Sequence, residues 1–338
     1  MEPYFSFIIP VYNRPDEIEE LLESLMLQGY DKPFEVVIVE DGSSNSAKGV
    51  VEKFKEELLI TYLAKNNTGP GDSRNYGMNR AKGHYFLVLD SDCILPEHYL
   101  ESVDRSLREK FVHCFGGPDA AHPSFSKVQK AINLAMTSVL TTGGIRGQKE
   151  AIGKFQPRSF NMGISKVAFE KVGGYGNIHP GEDPDLTFRI WENGFDTKLI
   201  PDAFVYHKRR IDWRKFYVQM NKFGMVRPIL NKWHRGTAKP TYWFPTFFCF
   251  GFVVATIMFF FGVTWPILPY MIYFVAILID ALLKTKDIGI ALLAVLAAAI
   301  QFTGYGYGFL LSTILLNFSK KEPQEIFPKL FFKTAKSG

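Results

Sequence analysis

The chain has 338 residues, of which 47% are hydrophobic and 15% aromatic, which is more apolar character than one soluble domain of this length needs. Its formal net charge of +5 is unevenly distributed, because residues 208–235 hold nine Lys or Arg residues and a single acid. The three cysteines have no metal-binding spacing and are odd in number, which indicates a reducing compartment and no disulfide framework.

In the first ninety residues, apolar strands alternate with amphipathic helices. Strands are predicted at residues 5–9, 34–39, 59–63 and 83–89, and helices at residues 16–28, 46–58 and 72–82. Strands and helices that alternate at this interval indicate a mostly parallel sheet with right-handed crossovers, as in a Rossmann-like α/β domain.

Beyond residue 92 the pattern is less regular. Helices are predicted at residues 96–110 and 125–140, the second of them over the sheet, and a strand at residues 112–116. A further helix is expected from about residue 182 to residue 193, followed by two short strands within residues 196–207. We therefore assign residues 1–210 to one α/β domain.

Two long runs without a charged residue follow, at residues 240–279 and 288–318, and either run is long enough to span a membrane. The first is predicted to form a hairpin of helices at residues 243–262 and 265–283, so that residues 241–318 hold two to three transmembrane helices. Residues 1–30 lack a signal-peptide pattern. We expect a multi-pass protein of the cell inner membrane whose first domain is cytoplasmic.

A basic segment at residues 211–240 precedes the first apolar run. Its apolar residues recur at helical spacing with cations between them, which is typical of an amphipathic helix at a membrane interface. Membrane lipids are therefore the predicted partner of this segment, and nucleic acid is not. Three spans would place the Lys-rich tail at residues 319–338 on the side opposite this segment, against the positive-inside tendency. The alternative is that residues 289–299 lie along the interface or are re-entrant.

Two carboxylates stand directly after the predicted strand at residues 83–89. Asp90 and Asp92 end an uncharged apolar run, and ligands of open α/β sheets bind at the carboxyl ends of the strands. Hard oxygen ligands at this place suit Mg²⁺ or Mn²⁺, which bridges substrate phosphates. The plain alternative is a solvated Asp-rich turn, because a lone Asp-x-Asp pair is a common sequence.

Five short motifs occur in order along the chain, each at a predicted strand end or helix start. They are Pro10-Val11-Tyr12-Asn13, Asp41-Gly42-Ser43, Arg74-Asn75, Asp90-Ser91-Asp92 and Glu182-Asp183. With these motifs, residues 1–210 resemble the family-2 glycosyltransferases, which are inverting, nucleotide-sugar-dependent enzymes of the A-type fold. The apolar segments that follow resemble those of bacterial polysaccharide-assembly members of the family. The resemblance implies a nucleotide-diphosphate sugar donor, Mn²⁺ or Mg²⁺, and a lipid-linked saccharide or other lipid as acceptor.

The resemblance also implies a role for each motif residue. The nucleotide sugar would be bound by Pro10, Tyr12, Asn13, Asp41, Arg74, Asp90 and Asn161, and the metal by Asp90, Asp92 and His207. Physically, the Asp41 carboxylate can accept a ring N–H of a nucleobase, and the Arg74 guanidinium can pair with a diphosphate. The alternatives are that Asp41 caps a helix, that Arg74 lies on an exposed helix face, and that His207 is structural.

Asp183 is the candidate catalytic base, which would take the proton of the acceptor hydroxyl as that oxygen attacks, and Glu182 would position Asp183 or touch the acceptor. The alternative for this pair is two acids favoured by a helix N-terminus. Processive synthases of the family carry a Gln-x-x-Arg-Trp motif, whereas here Gln219 is followed by an arginine only at Arg227. Both remain candidates for acceptor or diphosphate contact, and transfer of a single sugar is expected.

The expected activity is therefore metal-dependent transfer of one sugar to a hydroxyl, in cell-surface polysaccharide or glycolipid synthesis. The alternative is a polyprenyl-phosphate glycosyltransferase, whose phosphate acceptor needs little help from a base. A non-catalytic membrane scaffold would not need an acid at every motif position. A nicotinamide-dependent oxidoreductase would carry Gly-x-Gly-x-x-Gly after the first strand, where this chain has Pro-Val-Tyr-Asn.

Overall fold

A computed structural model describes residues 4–120, 125–142, 155–207 and 212–332 of the chain. Contacts within this part divide it into two compact units. We call them the sheet unit, with described residues 4–120, 155–207 and 331–332, and the helical unit, with described residues 125–142 and 212–330. Residue 211 of the basic segment and the last six residues of the Lys-rich tail lie outside the described residues.

Strands and helices alternate up to residue 207, close to the predicted pattern. They are β1 (Phe5–Val11), α1 (Pro15–Met26), β2 (Glu35–Asp41), α2 (Lys48–Glu52), β3 (Leu59–Lys65), α3 (Pro70–Met78), β4 (Tyr85–Leu89), β5 (Cys93–Ile94), α4 (Tyr99–Glu109), β6 (Cys114–Gly116), β7 (Asp119–Ala120), α5 (Lys127–Thr137), α6 (Val139–Thr142), β8 (Asn161–Ser165), α7 (Lys166–Val172), α8 (Glu182–Glu192), β9 (Thr197–Leu199) and β10 (Val205–His207).

Seven of the described strands form one sheet in the order β3-β2-β1-β4-β8-β6-β9. β1 pairs in parallel with β2 and β4, and β2 with β3, whereas β8 runs antiparallel to β4 and β6. Apolar side chains of alternating positions enter two separate cores, one on each face of the sheet. The predicted α/β fold with a mostly parallel sheet is confirmed.

Three short strands form a second sheet in the order β5-β10-β7. β10 pairs antiparallel with β5, and His207 lies opposite Cys93 in this pairing. The pairing brings the end of the sheet unit's second segment back to the turn that carries Asp90 and Asp92.

The helical unit contains α9 (Trp213–Trp233), α10 (Phe244–Phe260), α11 (Leu268–Thr285), α12 (Ile288–Phe318) and α13 (Pro323–Ile326), with 3₁₀ turns at Pro240–Trp243, Trp265–Ile267 and Pro328–Leu330. Among the described residues, three helices are long and apolar enough to cross a membrane, at Pro240–Phe260, Trp265–Thr285 and Ile288–Phe318. The last of them is one continuous helix of 31 residues.

Within the helical unit, α9 and α5 pack along α12. The apolar face of α9 is buried there, since Phe216 and Met220 contact Ile132 of α5 and Ala297 of α12 in one cluster. Backbones approach closely at Gly224, where an added Cβ would lie 2.2 Å from the carbonyl oxygen of Tyr305. The segment predicted to lie over the sheet at residues 125–140 is instead part of this bundle, because its apolar face matches that of α12.

Candidate active site

The carboxyl ends of β1, β2 and β4 carry most of the predicted site residues. Tyr12 and Asn13 directly follow β1, Asp41 ends β2, and Asp90 follows β4. Because these three strands are parallel neighbours, their carboxyl ends meet at one edge of the sheet. The ring of Tyr12 is 51% exposed at this edge, which leaves it accessible to a ligand.

Arg74 joins the acids after β4 to the acids at the start of α8. It is almost fully buried, its Nη2 donates to Asp90 Oδ1 at 2.7 Å, and its Nη1 lies 3.6 Å from Glu182 Oε1. Burial alone would lower the pKa of Arg74, but Asp90, Glu182 and their neighbours raise it above its ordinary value. Its Nε and Nη1 are buried without a hydrogen-bond partner among the described residues, which leaves donors suited to a diphosphate.

Glu182 and Asp183 begin α8, and their environments differ. Glu182 lies 2.9 Å from His179 Nδ1; burial would raise its pKa, but His179 and Arg74 lower it to about 2. Burial and the neighbouring Glu182 charge instead raise the pKa of Asp183, although Arg74 opposes this shift. Asp183 Oδ1 is buried without a hydrogen-bond partner in the described part of the chain. A carboxylate whose proton affinity is raised and whose oxygen is unsatisfied is suited to accept a proton.

Asp92 and His207 form the pair that best fits a divalent cation. His207 Nε2 lies 3.0 Å from Asp92 Oδ1, and Arg14 Nη1 lies 3.4 Å from Asp92 Oδ2. Burial would raise the pKa of Asp92, but His207 and Arg14 lower it below its ordinary value, so the carboxylate stays ionised. A carboxylate oxygen and an imidazole nitrogen are ligands that Mn²⁺ accepts. Asp90, the third predicted ligand, is engaged by Arg74.

Cys93 also lies in this cluster, since its sulfur and ligand atoms of Asp92 and His207 are within 4.8 Å of one another. The thiol contacts the carbonyl oxygen of Phe160 at 3.3 Å. Burial, reinforced by Asp92 and Asp90, raises the pKa of Cys93 well above its ordinary value, so the sulfur remains a thiol. A neutral thiol is a poor ligand for a hard cation, and the residues that fit the metal are Asp92 and His207.

Hydrogen bonds connect the loop after β1 to the loop after β2, and the end of β2 to the segment that begins α3. Asn13 Oδ1 accepts from the backbone N–H groups of Ser44 and Asn45 at 2.8 and 2.9 Å. Asp41 accepts from Lys65 Nζ at 2.7 Å and from the N–H groups of Thr68 and Gly69 at 3.0 Å each. A nucleobase N–H that binds Asp41 would therefore share the carboxylate with three protein donors.

Asn161 is wholly buried at the start of β8. Its Oδ1 accepts from the Tyr99 hydroxyl at 2.7 Å, and its Nδ2 donates to the Ala203 carbonyl at 2.7 Å. The side chain thus ties α4 and the segment before β10 to the sheet, and its contact with the nucleotide sugar remains a prediction.

We expect an Asn161→Ala variant to unfold at a lower temperature and to keep its KM for the sugar donor. The change would leave the Tyr99 hydroxyl and the Ala203 carbonyl buried without their partner, which costs about 1–3 kcal/mol per group. Thermal unfolding and a donor titration measure the two effects. Asn193→Ala is the control, because Asn193 is exposed and makes one bond to its own helix. A raised KM at unchanged stability would instead support the nucleotide-binding role.

Gln219 and Arg227 lie on α9 in the helical unit. Gln219 Oε1 and Arg227 Nη1 are buried without hydrogen-bond partners among the described residues, and the Arg227 guanidinium lies 4.7 Å from the centre of the Tyr242 ring. Their predicted contact with acceptor or diphosphate remains a prediction.

Three residues that surround the site carry no sequence motif of their own. Arg14 and His179 contact Asp92 and Glu182 respectively, and the Arg74 guanidinium lies 5.3 Å from the centre of the Tyr175 ring. Arg14 directly follows the Pro-Val-Tyr-Asn motif, and this position next to a motif is the sequence feature that could have identified it as a site residue. His179 and Tyr175 are brought to the site by the loop before α8, for which periodicity gives no indication.

One cleft is separate from this cluster. A cleft of about 730 Å³ lies at the carboxyl ends of β2 and β3, with Glu40, Ser43 and Lys65 in its wall. The Glu40 carboxylate accepts hydrogen bonds from the Tyr62 hydroxyl at 2.9 Å and from the Ala47 N–H at 2.8 Å. Because neither Arg74 nor Asp183 lines the cleft, its size alone does not locate the chemistry.

Comparison with known proteins points to one family. Residues 6–173 match the model of glycosyl transferase family 2. The poly(ribitol-phosphate) beta-N-acetylglucosaminyltransferase TarS of Staphylococcus aureus is 42% identical over 100 residues, which are 29% of this chain and 18% of TarS. Glycosyltransferase AglE of Haloferax volcanii is 25% identical over 214 residues, covering 62% of this chain and 68% of AglE. The alignment with TarS thus spans less than a fifth of that relative.

The fold is similar to that of a solved mannosyltransferase. This protein, PcManGT from Pyrobaculum calidifontis in complex with GDP-Man and Mn²⁺, superposes with a TM-score of 0.56 over 95% of this chain and 89% of its own. Their sequences are 16% identical, so the likeness concerns the fold alone.

Proposed function

Because the chain belongs to glycosyl transferase family 2, whose model matches residues 6–173, we propose that it moves one sugar from a nucleotide-diphosphate donor to a hydroxyl of a lipid-linked saccharide or other lipid. The proposal rests chiefly on the cluster in which Arg74 joins Asp90 to Glu182 beside Asp183, whose Oδ1 has no hydrogen-bond partner among the described residues. Donors for a diphosphate and an acceptor for a proton thus lie in one place. The three long apolar helices support anchoring in a membrane.

The proposed reaction proceeds with inversion in a single displacement. The acceptor oxygen forms a bond to the anomeric carbon while the bond from that carbon to the diphosphate oxygen breaks, and the electron pair leaves with the nucleoside diphosphate. Asp183 takes the proton of the acceptor hydroxyl, and Glu182 remains ionised and holds Arg74 and His179. The Arg74 guanidinium would neutralise the charge that develops on the departing diphosphate.

A divalent cation would be held by Asp92 and His207 and would supply further charge stabilisation to the leaving group. The complex of PcManGT with GDP-Man and Mn²⁺ supports this assignment through a shared fold. We further propose that the chain acts at the cytoplasmic face of the cell inner membrane, in cell-surface polysaccharide or glycolipid synthesis. The buried, unsatisfied oxygen of Asp183 favours a hydroxyl acceptor over a polyprenyl phosphate.

A thermal-shift series with UDP, GDP, ADP and CDP, each with and without Mn²⁺, tests the donor and metal assignments. One diphosphate is expected to raise Tm by roughly 5 °C in the presence of Mn²⁺, since a ligand at a hundred times its Kd stabilises by about 2.7 kcal/mol. His207→Ala should lose the part that depends on Mn²⁺, whereas His84→Ala, an exposed residue, should keep it. Equal shifts with and without Mn²⁺ in the unaltered protein would contradict the metal assignment.

A further inference from the structure

α12 is long and apolar enough to cross a membrane. Its first residues, however, contact α5, and the connection from the sheet unit to α5 is too short to cross a bilayer. Asp287, which caps α12, forms an ion pair with Lys127 of α5 at 2.9 Å. Lys127 lies seven residues after Ala120, which ends β7 of the sheet unit, and seven residues extend at most about 25 Å. The hydrocarbon of a bilayer is about 30 Å thick. The beginning of α12 is therefore on the same side of the membrane as the sheet unit.

The chain after α12 also belongs to that side. Phe331 forms an antiparallel bridge with Ile178, and the Phe332 N–H donates to the Asn177 carbonyl at 2.9 Å, all within the sheet unit. The segment between α12 and Phe331 carries Lys320, Lys321, Glu322, Glu325 and Lys329. A charged segment whose helices have only three or four residues does not cross hydrocarbon, because most of its backbone polar groups would be left without partners.

The neighbours of α12 point to the same conclusion. Asn221 Nδ2 of α9 donates to the Gly304 carbonyl at 3.2 Å, and Ser312 Oγ donates to the Met225 carbonyl at 2.7 Å, so α9 accompanies α12 over several turns. α9 carries Lys222 and Arg227 along this stretch. Were α12 to cross the membrane here, these charges would enter hydrocarbon, where ionised side chains are costly.

α10 and α11 differ from α12 because most of their apolar surface is exposed. Only 11% of the most apolar window of each helix is buried inside the protein, against 44% for α12. The large apolar side chains of Phe250, Phe260, Phe261 and Ile272 are 70%, 80%, 83% and 69% exposed. With their 3₁₀ turns, each of the two spans has 21 residues, or about 31 Å of helix, which matches the hydrocarbon thickness.

We infer that the chain crosses the membrane twice, through the hairpin of α10 and α11, while α12 lies along the membrane surface on the side of the sheet unit. The partner of α12 is then the interfacial layer of the lipid, against its exposed stripe of Ile288, Leu292, Leu296, Tyr307, Leu310 and Ile314. The inference deepens the membrane anchoring of the proposed function and rests on it. Two crossings place the basic α9 and the Lys-rich segment after α12 on one face, which agrees with the positive-inside tendency.

Cysteine labelling with a membrane-impermeant maleimide tests the number of crossings in the full chain. A Cys249→Ala background receives one added cysteine at a time, because Cys93 and Cys114 are buried. Lys286→Cys and Lys321→Cys are expected to react from the same face as Glu109→Cys on the sheet unit, and Val263→Cys from the opposite face. Reaction of Lys321→Cys from the face of Val263→Cys would show that α12 crosses, and reaction of all four from one face would show that the hairpin does not.

Cross-linking tests the return of the chain directly. Antiparallel partners have Cα atoms about 4.5–5.5 Å apart, which is within the range that a disulfide bridges. An Ile178→Cys and Phe331→Cys double variant should therefore form a disulfide on mild oxidation in membranes, and an Ile178→Cys and Lys321→Cys pair should not. Absence of the first cross-link in protein that still binds its donor nucleotide would overturn the inference.

These results are separable from the proposed function, because neither labelling nor cross-linking requires sugar transfer. The expected pattern in a protein without transferase activity would refute the function and keep the two crossings. Transferase activity in a protein whose Lys321→Cys reacts from the face of Val263→Cys would support the function and refute the two crossings. Complete release of the chain from membranes by alkaline carbonate would overturn both the anchoring and the inference.

Discussion

An Asp183→Asn variant is expected to lose sugar transfer to a hydroxyl acceptor by about 10²-fold to 10⁴-fold, the range that general base catalysis supplies. The amide keeps the size of the carboxylate but cannot take the acceptor proton. Because the base acts in the transition state, kcat should fall while the Kd of the donor changes little. Steady-state transfer kinetics and donor titration measure the two quantities.

The pH dependence of the unaltered enzyme gives a second view of the same residue. Burial and the neighbouring Glu182 raise the pKa of Asp183, and the base acts only when it is ionised. The acid limb of kcat/KM should therefore lie above the ordinary aspartate pKa of 3.8, and activity should fall as the pH drops through that limb. The residual activity of Asp183→Asn should lack this limb.

Asp185→Asn is the matched control on the same helix. Asp185 Oδ2 accepts from Arg189 Nη2 at 2.7 Å in an i, i+4 pair, which contributes to helix stability and not to proton transfer. Transfer by this variant should stay near normal. Near-normal transfer by Asp183→Asn would remove Asp183 from the role of base and would favour an acceptor that is already ionised, such as a polyprenyl phosphate.

An Arg74→Met variant is expected to be destabilised by about 3–5 kcal/mol and to lose donor binding. Removal of the guanidinium leaves Asp90, Glu182 and Asp183 close together without the cation that compensates their charges. Denaturant unfolding measures the stability, and calorimetric titration with the nucleoside diphosphate measures the binding.

Two further variants separate these effects of Arg74. Arg74→Lys keeps the positive charge but cannot form bidentate hydrogen bonds. Compared with Arg74→Met, it should recover part of the stability and little of the affinity for the diphosphate. Arg80→Met, at the end of the same helix, removes a guanidinium that lies over the Tyr76 ring at 3.5 Å and should leave donor binding unchanged. Full stability and full affinity in Arg74→Met would contradict the central position of Arg74.

The sequence alone predicted the α/β fold and the acids at the strand ends, because both depend on the order of residues within short segments. Alternation of apolar runs and amphipathic helices shows which residues must leave water, and a run such as Tyr85–Leu89 has few conformations that bury it on both sides. Where such a strand ends in Asp90 and Asp92, the acids must lie at the sheet edge.

Only the tertiary structure decided which side chains meet. Asn161 begins β8, a strand that the sequence patterns did not predict. Its hydrogen bonds to Tyr99 and Ala203 join residues far apart in the chain, and no local pattern encodes such partners. The contact of His207 with Asp92 depends on the pairing of β10 with β5, which strands of three and two residues do not specify by themselves.

The apolar helices show the same division between local and long-range information. Composition predicted two to three transmembrane helices, but an apolar helix face can be removed from water equally well by lipid or by another helix. We infer the position of α12 from the ion pair between Lys127 and Asp287 and from the bridge between Ile178 and Phe331. Each joins segments that, by the proposed topology, the chain's connectivity holds on one side of a membrane. Hydrophobicity thus determined which segments leave water, and only the fold showed which of them pack against other helices.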